Sequence, residues 1–388
     1  MSILMREEYF QVRGRIINGL GKADEVSEEA KRLNVNRVVV VTEKAIQEAG
    51  VIENILKSLK NGNIEYIVYN GVHSDPSVKI MDEIARLVKE SGAQGLIGVG
   101  GGSSLDATKG AAIVCTNGGS IRDYIGENKF KIAPLPLIAI PTTAGTGSEV
   151  TWHISVNDTE RKLKVTVRSF LCVPEVAILD PNLMVTVPAK VAAFTGMDAF
   201  THAFESYIST KGSWIMTETL ALKAMELIAI NLRVFVANRQ NVEAGENMLI
   251  ASMMGGMCLS HARTGIIHQM ARPLGALFHV PHGLANSMLL PYAMEFSVFA
   301  NPGKFANVAR VMGIKVDGLS EMEAAKATII AVKELCNDIG LPNKLRDVGV
   351  KEELLSQLAE DAMQGRDLFD NPRQGTVEDL IKIYRSAY

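Results

Sequence analysis

The sequence predicts an α/β N-terminal domain with a parallel, Rossmann-like sheet, followed by an all-α C-terminal domain. Two observations lead to this prediction. In the first half, short runs rich in β-branched residues alternate with amphipathic stretches of helical spacing, which is typical of a parallel sheet covered on both faces. After about Pro188 such runs nearly disappear, and apolar residues recur every three to four positions.

Five runs in the first half are predicted to be buried strands: 37–42, 64–70, 95–100, 135–143 and 176–180. Amphipathic helical stretches such as 45–61 and 77–92 separate the first four runs. Parallel α/β sheets bind their ligands at the carboxyl ends of the strands. We therefore expect a ligand site where these runs end.

The second half is predicted to be helical, with helices over 191–208, 218–238, 324–339 and 377–386. A chain of 388 residues is too long for one ordinary core. Pro181 and Pro188 punctuate the stretch between the two patterns. We expect an α/β domain at 1–185 and an all-helical domain at 186–388.

The composition excludes several classes of function. Hydrophobic residues make up 47% and charged residues 21%, the balance of a globular protein, and the net charge of −3 favours neither nucleic acid nor an anionic membrane as partner. No apolar run reaches the roughly 18 residues of a spanning helix. The four scattered cysteines contain no CxxC pair, which favours a reducing cytoplasm.

A glycine-rich turn, GVGGGSSLDATKG at 98–110, follows a predicted strand and opens a helix. Gly101 and Gly102 allow a ligand close to the backbone, and Ser103 lies where free N–H groups of a helix N-terminus face an anion. A pyrophosphate suits this site, although the consecutive glycines differ from the GxGxxG pattern. The alternative is a tight structural turn. Asp106 either holds the turn or accepts a bond from the ligand.

A second loop, PTTAGTGSEVT at 141–151, also follows an apolar strand. Its hydroxyl side chains include Thr142, Thr143, Thr146 and Thr151. The alternative is a plain turn. Two such loops at the ends of parallel strands favour a dinucleotide as the ligand.

Glu43 ends the strand-like run RVVVVT. An acidic residue at the tip of an early strand commonly binds ribose hydroxyls and repels a 2′-phosphate. This favours NAD over NADP. The alternative is a solvated glutamate that opens a helix.

Four side chains in the second half suggest a metal site. Asp198 and His202 are four residues apart on a predicted helix and therefore share a face. His268 and His282 lie fourteen residues apart on either side of an apolar turn. Three imidazoles and one carboxylate suit Fe²⁺ or Zn²⁺ and leave a coordination position open for substrate. Taken singly, each histidine is as easily explained as a core or surface residue.

Four blocks, GGGSSLDATK, PTTAGTGSEVT, GMDAFTHAFES and HxxxRPLG…PHGLAN, resemble the iron-containing (group III) alcohol dehydrogenase family in order and spacing. The resemblance covers essentially the whole chain and implies a metal in the cleft between the two domains. The implied metal ligands are Asp198, His202, His268 and His282. The implied cofactor contacts are Glu43, Gly101, Gly102, Ser103, Thr142, Thr143, Thr146 and Lys164.

The expected function is that of a metal-dependent, NAD(H)-linked alcohol dehydrogenase or aldehyde reductase for small primary alcohols, diols or aldehydes. The resemblance favours iron, with zinc as the alternative, and a homodimer or larger homo-oligomer. Two alternatives are a lyase of the dehydroquinate synthase type and a polyol oxidoreductase similar to glycerol dehydrogenase. A third is a silent module that only binds dinucleotide.

This chain departs from the family at one position. Many members read HxxxH where the chain has His268 followed by Arg272, so the usual second histidine is missing. One hypothesis is that Arg272 anchors a carboxylate, sulfonate or phosphonate of the substrate. The other is an ion pair with an internal acid such as Glu205. His279 is a candidate for proton exit, with a plain surface histidine as the alternative.

Overall fold

The computed structural model describes residues 8–161 and 163–388. The strands are β1 (Arg15–Asn18), β2 (Arg37–Val41), β3 (Glu65–Tyr69), β4 (Gly95–Gly100), β5 (Gly126–Glu127), β6 (Leu137–Pro141), β7 (His153–Asp158), β8 (Leu163–Arg168) and β9 (Val176–Leu179). The helices among them are α1 (Val26–Arg32), α2 (Lys44–Glu48), α3 (Glu53–Asn61), α4 (Val78–Ser91) and α5 (Gly102–Asn117). Strand and helix alternate as predicted.

Six of the strands form a fully parallel sheet in the order β1-β9-β6-β4-β2-β3. Successive side chains of a strand point to opposite faces. In β2, Val39 and Val41 therefore lie in one apolar cluster, whereas Val38 and Val40 lie in another. Both faces of the sheet are covered, which is why its strands read as continuous apolar runs.

The order of the strands explains where a ligand can bind. β2, β4 and β6 are neighbours, so their carboxyl ends meet at one edge of the sheet. Glu43, Gly101 and Thr142 follow these three strands directly or within two residues. All five predicted strands are present, equal in extent to the predicted runs or up to four residues shorter. The prediction that all five are buried is wrong for β3, an edge strand in which no residue is buried.

The sequence interpretation missed β1 and a small second sheet of order β5-β8-β7. β7 and β8 form an antiparallel hairpin in which His153 pairs with Arg168. Alternate residues of β7, such as Ile154 and Val156, are fully buried, and polar residues lie between them. This alternation marks a strand with one buried face, but it spans only six residues.

The second half is helical, with α6 (Ala189–Ile208), α7 (Ile215–Ala237), α8 (Val242–His261), α9 (Ile266–Phe278), α10 (His282–Ser297), α11 (Pro302–Val311), α12 (Glu321–Asp338), α13 (Leu355–Met363) and α14 (Val377–Ala387). No described residue after Leu179 lies in a strand. α6 is buried nearly all round, as expected for a helix surrounded by others. The predicted boundary at 185/186 falls between β9 and α6 and stays a prediction.

Across residues 8–161 and 163–388, no helix combines the length and the apolar character needed to cross a membrane.

Candidate metal centre

Three helices bring the four predicted metal ligands together. α6 carries Asp198 and His202 one turn apart, α9 carries His268 in its first turn, and α10 begins at His282. The chain reverses between α9 and α10, where His279 has left-handed backbone angles (φ 54°). The four side chains each offer one donor atom, and these atoms all lie within 4.8 Å of one another.

The close approach of α10 to α6 depends on Gly283. A Cβ at this position would lie 2.5 Å from the carbonyl oxygen of Phe194 and 3.1 Å from Cβ of Asp198. Any side chain larger than hydrogen would push the start of α10 away from α6. Glycine therefore lets His282 reach the Asp198 carboxylate, whose Oδ1 lies 4.0 Å from His282 Nε2.

Two of the histidines are held by a bond to the ring nitrogen that faces away from the cluster. His202 Nδ1 lies 3.2 Å from the carbonyl oxygen of Gly145, in the second loop. His268 Nδ1 lies 2.5 Å from Oε2 of Glu205. The other carboxylate oxygen of Glu205, Oε1, accepts a hydrogen bond from the backbone N–H of Ile267 at 2.6 Å. Partners of this kind fix the tautomer and orientation of histidines that bind metals.

Asn286 orients the carboxylate ligand. Its amide donates to Oδ1 of Asp198 at 2.7 Å and lies 3.3 Å from Nε2 of His282. Asn286 is one turn after His282 on α10, so helical spacing places both side chains on the face toward α6.

The cluster fits a divalent cation. His268 Nε2 is buried and has no hydrogen-bond partner among the described residues, a costly arrangement for an imidazole unless something binds it. This atom lies 3.9 Å from Oδ1 of Asp198. Four donors that each bind a cation at about 2.1 Å are about 3.4 Å apart in a tetrahedral arrangement. The side chains must therefore draw together by up to about 1.4 Å to share one ion.

The electrostatics of the cluster favour metal binding at neutral pH. Burial lowers the pKa of His202 and of His282, and the Asp198 carboxylate only partly opposes this. For Asp198, burial raises the pKa, but the three histidines and Asn286 outweigh burial and hold it below the ordinary value. Neutral imidazoles and an ionised carboxylate are the protonation states that coordinate a metal.

The two predicted cofactor loops lie in contact at the carboxyl ends of β4 and β6. Gly101 is the N-cap of α5, and Gly102, its first residue, lies against the second loop. A Cβ on Gly102 would come 2.6 Å from Cγ2 of Thr146. Thr142 joins the loops through its backbone N–H, which donates to the carbonyl of Gly100 at 3.0 Å. Thr143 and Ser103 are partly exposed at this edge.

A buried polar network fixes the second loop. Asp106 accepts bonds from the Ser148 hydroxyl at 2.5 Å and from the backbone N–H of Ser155 at 2.8 Å. The fully buried Lys109 ammonium lies 3.5 Å from Asp106 and donates to the Thr151 hydroxyl at 3.2 Å. Asp106 thus holds the loops together, as one of the two sequence interpretations had it, and Thr151 lies within the same network.

Glu43 lies half-buried beside the first loop and accepts a bond from the Ser104 hydroxyl at 3.0 Å. Burial raises its pKa, whereas the bond from Ser104 and the nearby His73 lower it. Lys164, on β8, forms an ion pair with Asp75 at 2.6 Å. The Lys164 charge is also among the influences that lower the pKa of His282, so this lysine lies near the metal cluster.

Arg272 and His279 lie outside the four-residue cluster. Arg272 follows His268 by one helical turn, and its Nη1 donates to Gln269 Oε1 at 3.3 Å. Within the described residues, no carboxylate comes within 4.0 Å of its guanidinium group. The suggested ion pair with Glu205 is therefore wrong, because Glu205 binds His268 instead. His279 is exposed at the C-terminal end of α9.

Sequence reasoning missed several residues of the site. It did not identify the roles of Glu205 or Asn286, and it passed over His153 and Arg168 on the unrecognised hairpin. Helical spacing gave one usable signal: Glu205 lies seven residues after Asp198, on the same face of α6.

Comparisons with known proteins agree with this geometry. Residues 14–181 match the model of the family described as iron-containing alcohol dehydrogenase, and residues 192–388 match that of its C-terminal part. The chain is 40% identical to a 1,3-propanediol dehydrogenase from Citrobacter freundii, with 94% of each chain covered. It is 37% identical to a lactaldehyde reductase from Escherichia coli (strain K12), covering 95% of this chain and 97% of the relative.

A solved structure shows the same fold. The crystal structure of a 1,3-propanediol oxidoreductase superimposes with a TM-score of 0.96 at 37% identity, covering 99% of this chain and 100% of the other. Both domains and their arrangement are therefore shared. The resemblance seen in the four sequence blocks is confirmed, and the chain belongs to the iron-containing alcohol dehydrogenase family.

Proposed function

We propose that Asp198, His202, His268 and His282 hold an iron ion, next to an NAD molecule bound by the two loops. The enzyme is an alcohol/aldehyde oxidoreductase that acts on small substrates. The single observation that carries the site assignment is the buried, unpartnered Nε2 of His268 within a cluster of four donor atoms. Buried polar atoms are usually hydrogen-bonded, and a bound cation would give this one a partner.

The cofactor is NAD, and two relatives are named for their dependence on NAD or NADH. In this chain the support comes from Glu43, whose carboxylate lies at the end of β2, next to the glycine-rich loop. A carboxylate there accepts bonds from ribose hydroxyls and repels a 2′-phosphate. The N-terminus of α5 offers free N–H groups to the pyrophosphate.

When bound, the metal ion acts as a Lewis acid toward the oxygen of the alcohol or aldehyde. The residues of the chain position the reacting groups. Glu205 and the Gly145 carbonyl orient two imidazoles, and Asn286 orients the carboxylate. The two loops would hold the dinucleotide, which would supply or accept a hydride when bound. His279 is proposed as one exit for the proton, beside the ribose hydroxyls and water.

Arg272 is proposed to contact an anionic part of the substrate. It lies one turn beyond His268 on α9 and has no ion-pair partner within 4.0 Å among the described residues. Arg272 is solvent-exposed on α9, and its guanidinium group stays charged at neutral pH. One relative is named for sulfoacetaldehyde, an aldehyde that carries a sulfonate.

The lyase and glycerol dehydrogenase readings are not favoured. The relatives reported above are named as oxidoreductases of small alcohols and aldehydes. The complete set of four ligands also argues against a silent module, because a protein that only binds dinucleotide has no use for a metal site. A homodimer or larger oligomer and a cytoplasmic location are further proposals, which light scattering and cell fractionation would test.

The decisive experiment is a screen of small aldehydes with NADH, using protein reconstituted with Fe²⁺ under anaerobic conditions. Wild-type protein is expected to retain about one iron per chain and to oxidise NADH with at least one short aldehyde. His268→Ala should lose both the metal and the activity, because it removes the unpartnered donor. An active His268→Ala variant with full metal content would refute the site assignment. His279→Asn, which tolerates the left-handed backbone, should keep its metal.

A further inference from the structure

A cavity of about 510 Å³ lies between the β7–β8 hairpin and the C-terminal end of α8. His153 and Arg168, on the hairpin, form one wall, and Leu259 and Arg263 form the other. His153 and Arg168 pair directly across the antiparallel strands, so their side chains project from the same face of the hairpin.

Arg168 and Arg263, which line the cavity, both contact the carboxylate of Asp367. Asp367 lies 3.6 Å from Nη2 of Arg168 and 3.3 Å from Nη1 of Arg263, so one carboxylate serves two arginines. Arg272 has no contact with Asp367 within 4.0 Å among the described residues. Two guanidinium groups therefore share one buried carboxylate.

Three cations and two carboxylates line the cavity, and Asp367 and Asp370 lie beside the arginines without lining it. Asp370 is only loosely paired, with Oδ2 at 3.9 Å from Nε of Arg263. Glu8 and Glu127 also line the cavity, where Lys211 adds another cation. Glu127 pairs with Arg168 only through the backbone of neighbouring strands, and no ion pair joins their side chains within the described residues.

Two side-chain nitrogens of residues that line the cavity have no hydrogen-bond partner among residues 8–161 and 163–388. These are Nε of Arg168 and Nδ1 of His153, both buried. Burial holds the pKa of His153 well below its usual range, and the neighbouring Arg168 lowers it further, so the imidazole is neutral at pH 7. A neutral imidazole and a guanidinium group both donate hydrogen bonds, and an oxyanion accepts them.

The cavity adjoins the metal cluster. On α8, a Cβ at Gly255 would lie 3.6 Å from Cβ of His202, and Leu259 follows one turn later at the cavity wall. On α9, Arg272 follows His268 by the same interval. One helical turn rises about 5.4 Å. Arg263 lies four residues beyond Leu259 and Arg272 does not line the cavity. The basic wall therefore lies roughly two turns, or about 11 Å, from the metal cluster along the chain, a distance that an arginine side chain and a short carbon chain span together.

We propose that this cavity binds an oxyanion group of the substrate, so that the enzyme acts on short aldehydes carrying a sulfonate, phosphonate or carboxylate at the other end. Arg168 and Arg263 hold the oxyanion, His153 donates a hydrogen bond to it, and the aldehyde carbon extends toward the metal cluster. This inference rests on the proposed function, because it assigns the substrate class of that same site.

The first test compares substrates of equal shape and different charge. Sulfoacetaldehyde and the neutral sulfone methylsulfonylacetaldehyde are reduced with NADH, and succinic semialdehyde is compared with its methyl ester. We expect kcat/KM to favour the anion at least about 100-fold, since a charge-assisted, two-pronged contact is lost with the neutral compound. Equal kcat/KM values for both members of each pair would overturn the proposal. The pair that shows the larger ratio of kcat/KM between anion and neutral compound tells whether the cavity favours a sulfonate or a carboxylate.

The second test uses variants of the cavity wall. Arg263→Gln and Arg168→Lys should each reduce the preference for the anion at least about tenfold, through KM, and leave kcat/KM for the neutral sulfone within about threefold. Arg161→Gln, an exposed arginine on the same hairpin, should leave the preference unchanged. Variants that weaken both substrates equally would show a merely structural role and contradict the proposal.

The third test measures binding without turnover. Calorimetry of the iron- and NAD-loaded wild-type enzyme should show binding of ethanesulfonate and none of ethyl methyl sulfone, and Arg263→Gln should weaken that binding at least about tenfold. If ethanesulfonate binds but no aldehyde is reduced, the cavity assignment holds and the proposed function fails. If neutral aldehydes are reduced and ethanesulfonate does not bind, the function holds and the cavity assignment fails.

Discussion

Glu205 and His268 are joined by a contact of 2.5 Å between a carboxylate oxygen and Nδ1, and this contact turns Nε2 of the imidazole toward Asp198. The same carboxylate also accepts the backbone N–H of Ile267, at the start of α9. One buried glutamate therefore sets both the position of the helix and the orientation of the ligand that the helix carries. Glu205 itself has no place in the coordination cluster.

We expect Glu205→Gln to weaken iron binding about 10- to 100-fold, the usual cost of removing a partner of a metal-binding histidine. The amide keeps the shape but loses the negative charge that makes the imidazole a better ligand. The measurement is the dissociation constant for Fe²⁺ by competition with a chelator. Glu218→Gln, a partly exposed glutamate paired with Lys304, is the matched control. Equal affinity in wild type and Glu205→Gln would contradict the assigned role.

Glu43→Ala should shift the cofactor preference toward NADPH. Removing the carboxylate at the end of β2 removes a repulsion of the 2′-phosphate and a bond to the ribose. The ratio of kcat/KM for NADPH to that for NADH is expected to rise at least about tenfold. The control is Glu48→Ala, which changes an exposed acid on α2, the short helix that follows Glu43. This variant should leave the ratio unchanged. An unchanged ratio in Glu43→Ala would show that Glu43 does not contact the ribose of the cofactor and would contradict the prediction.

Gly102→Ala should weaken the binding of NADH. The added Cβ would lie 2.6 Å from Cγ2 of Thr146, so the loops must move apart where the pyrophosphate is proposed to bind. Overpacking of this kind costs about 1–3 kcal/mol, which corresponds to roughly 5- to 150-fold in the dissociation constant. Fluorescence titration with NADH measures it. The control is Gly275→Ala, whose Cβ would meet only the Val280 carbonyl at 3.5 Å; equal losses in both variants would refute the prediction.

Glu149→Gln should change how stability depends on pH. Burial raises the pKa of the Glu149 carboxyl from its ordinary value of 4.5 to about 7. One oxygen of this carboxyl group has no hydrogen-bond partner among the described residues. Between these values the folded state holds a proton that the unfolded state has released. The Glu149 contribution to stability is therefore present at pH 4 and lost as the pH rises to 7.

The glutamine variant lacks this loss. Its free energy of unfolding should match that of wild type at pH 4 and exceed it by up to about 3 kcal/mol at pH 8. Urea unfolding at the two pH values measures the difference. A constant difference between the two proteins across that range would show that folding does not change the proton occupancy of Glu149 and would contradict the prediction.

Local patterns in the sequence were sufficient for the fold class and for the metal ligands. The strands β2, β4, β6 and β9 lie inside the sheet and are buried, so each reads as an apolar run that needs no partner to be recognised. β3 is a partly exposed edge strand, and only its β-branched residues indicated a strand. Asp198 and His202 share a helix, and helical periodicity alone places them on one face. His268 and His282 are only fourteen residues apart in the sequence, and the turn between α9 and α10 is short. Their closeness in the chain was therefore enough to predict that they share a site.

What the tertiary structure decided depends on contacts between distant segments. The partner of Glu205 was wrongly suggested to be Arg272, because the spacing on α6 does not reveal which residue of α9 approaches the carboxylate. The pairing of His153 with Arg168 joins the two strands of the hairpin. The contacts of Arg168 and Arg263 with Asp367 join the hairpin, the segment between α8 and α9, and the C-terminal region. The sequence by itself determined the fold class and the chemistry of the metal site, since periodicity and residue type are local. The packing of remote elements decided which charges meet, and with that the proposed choice of substrate.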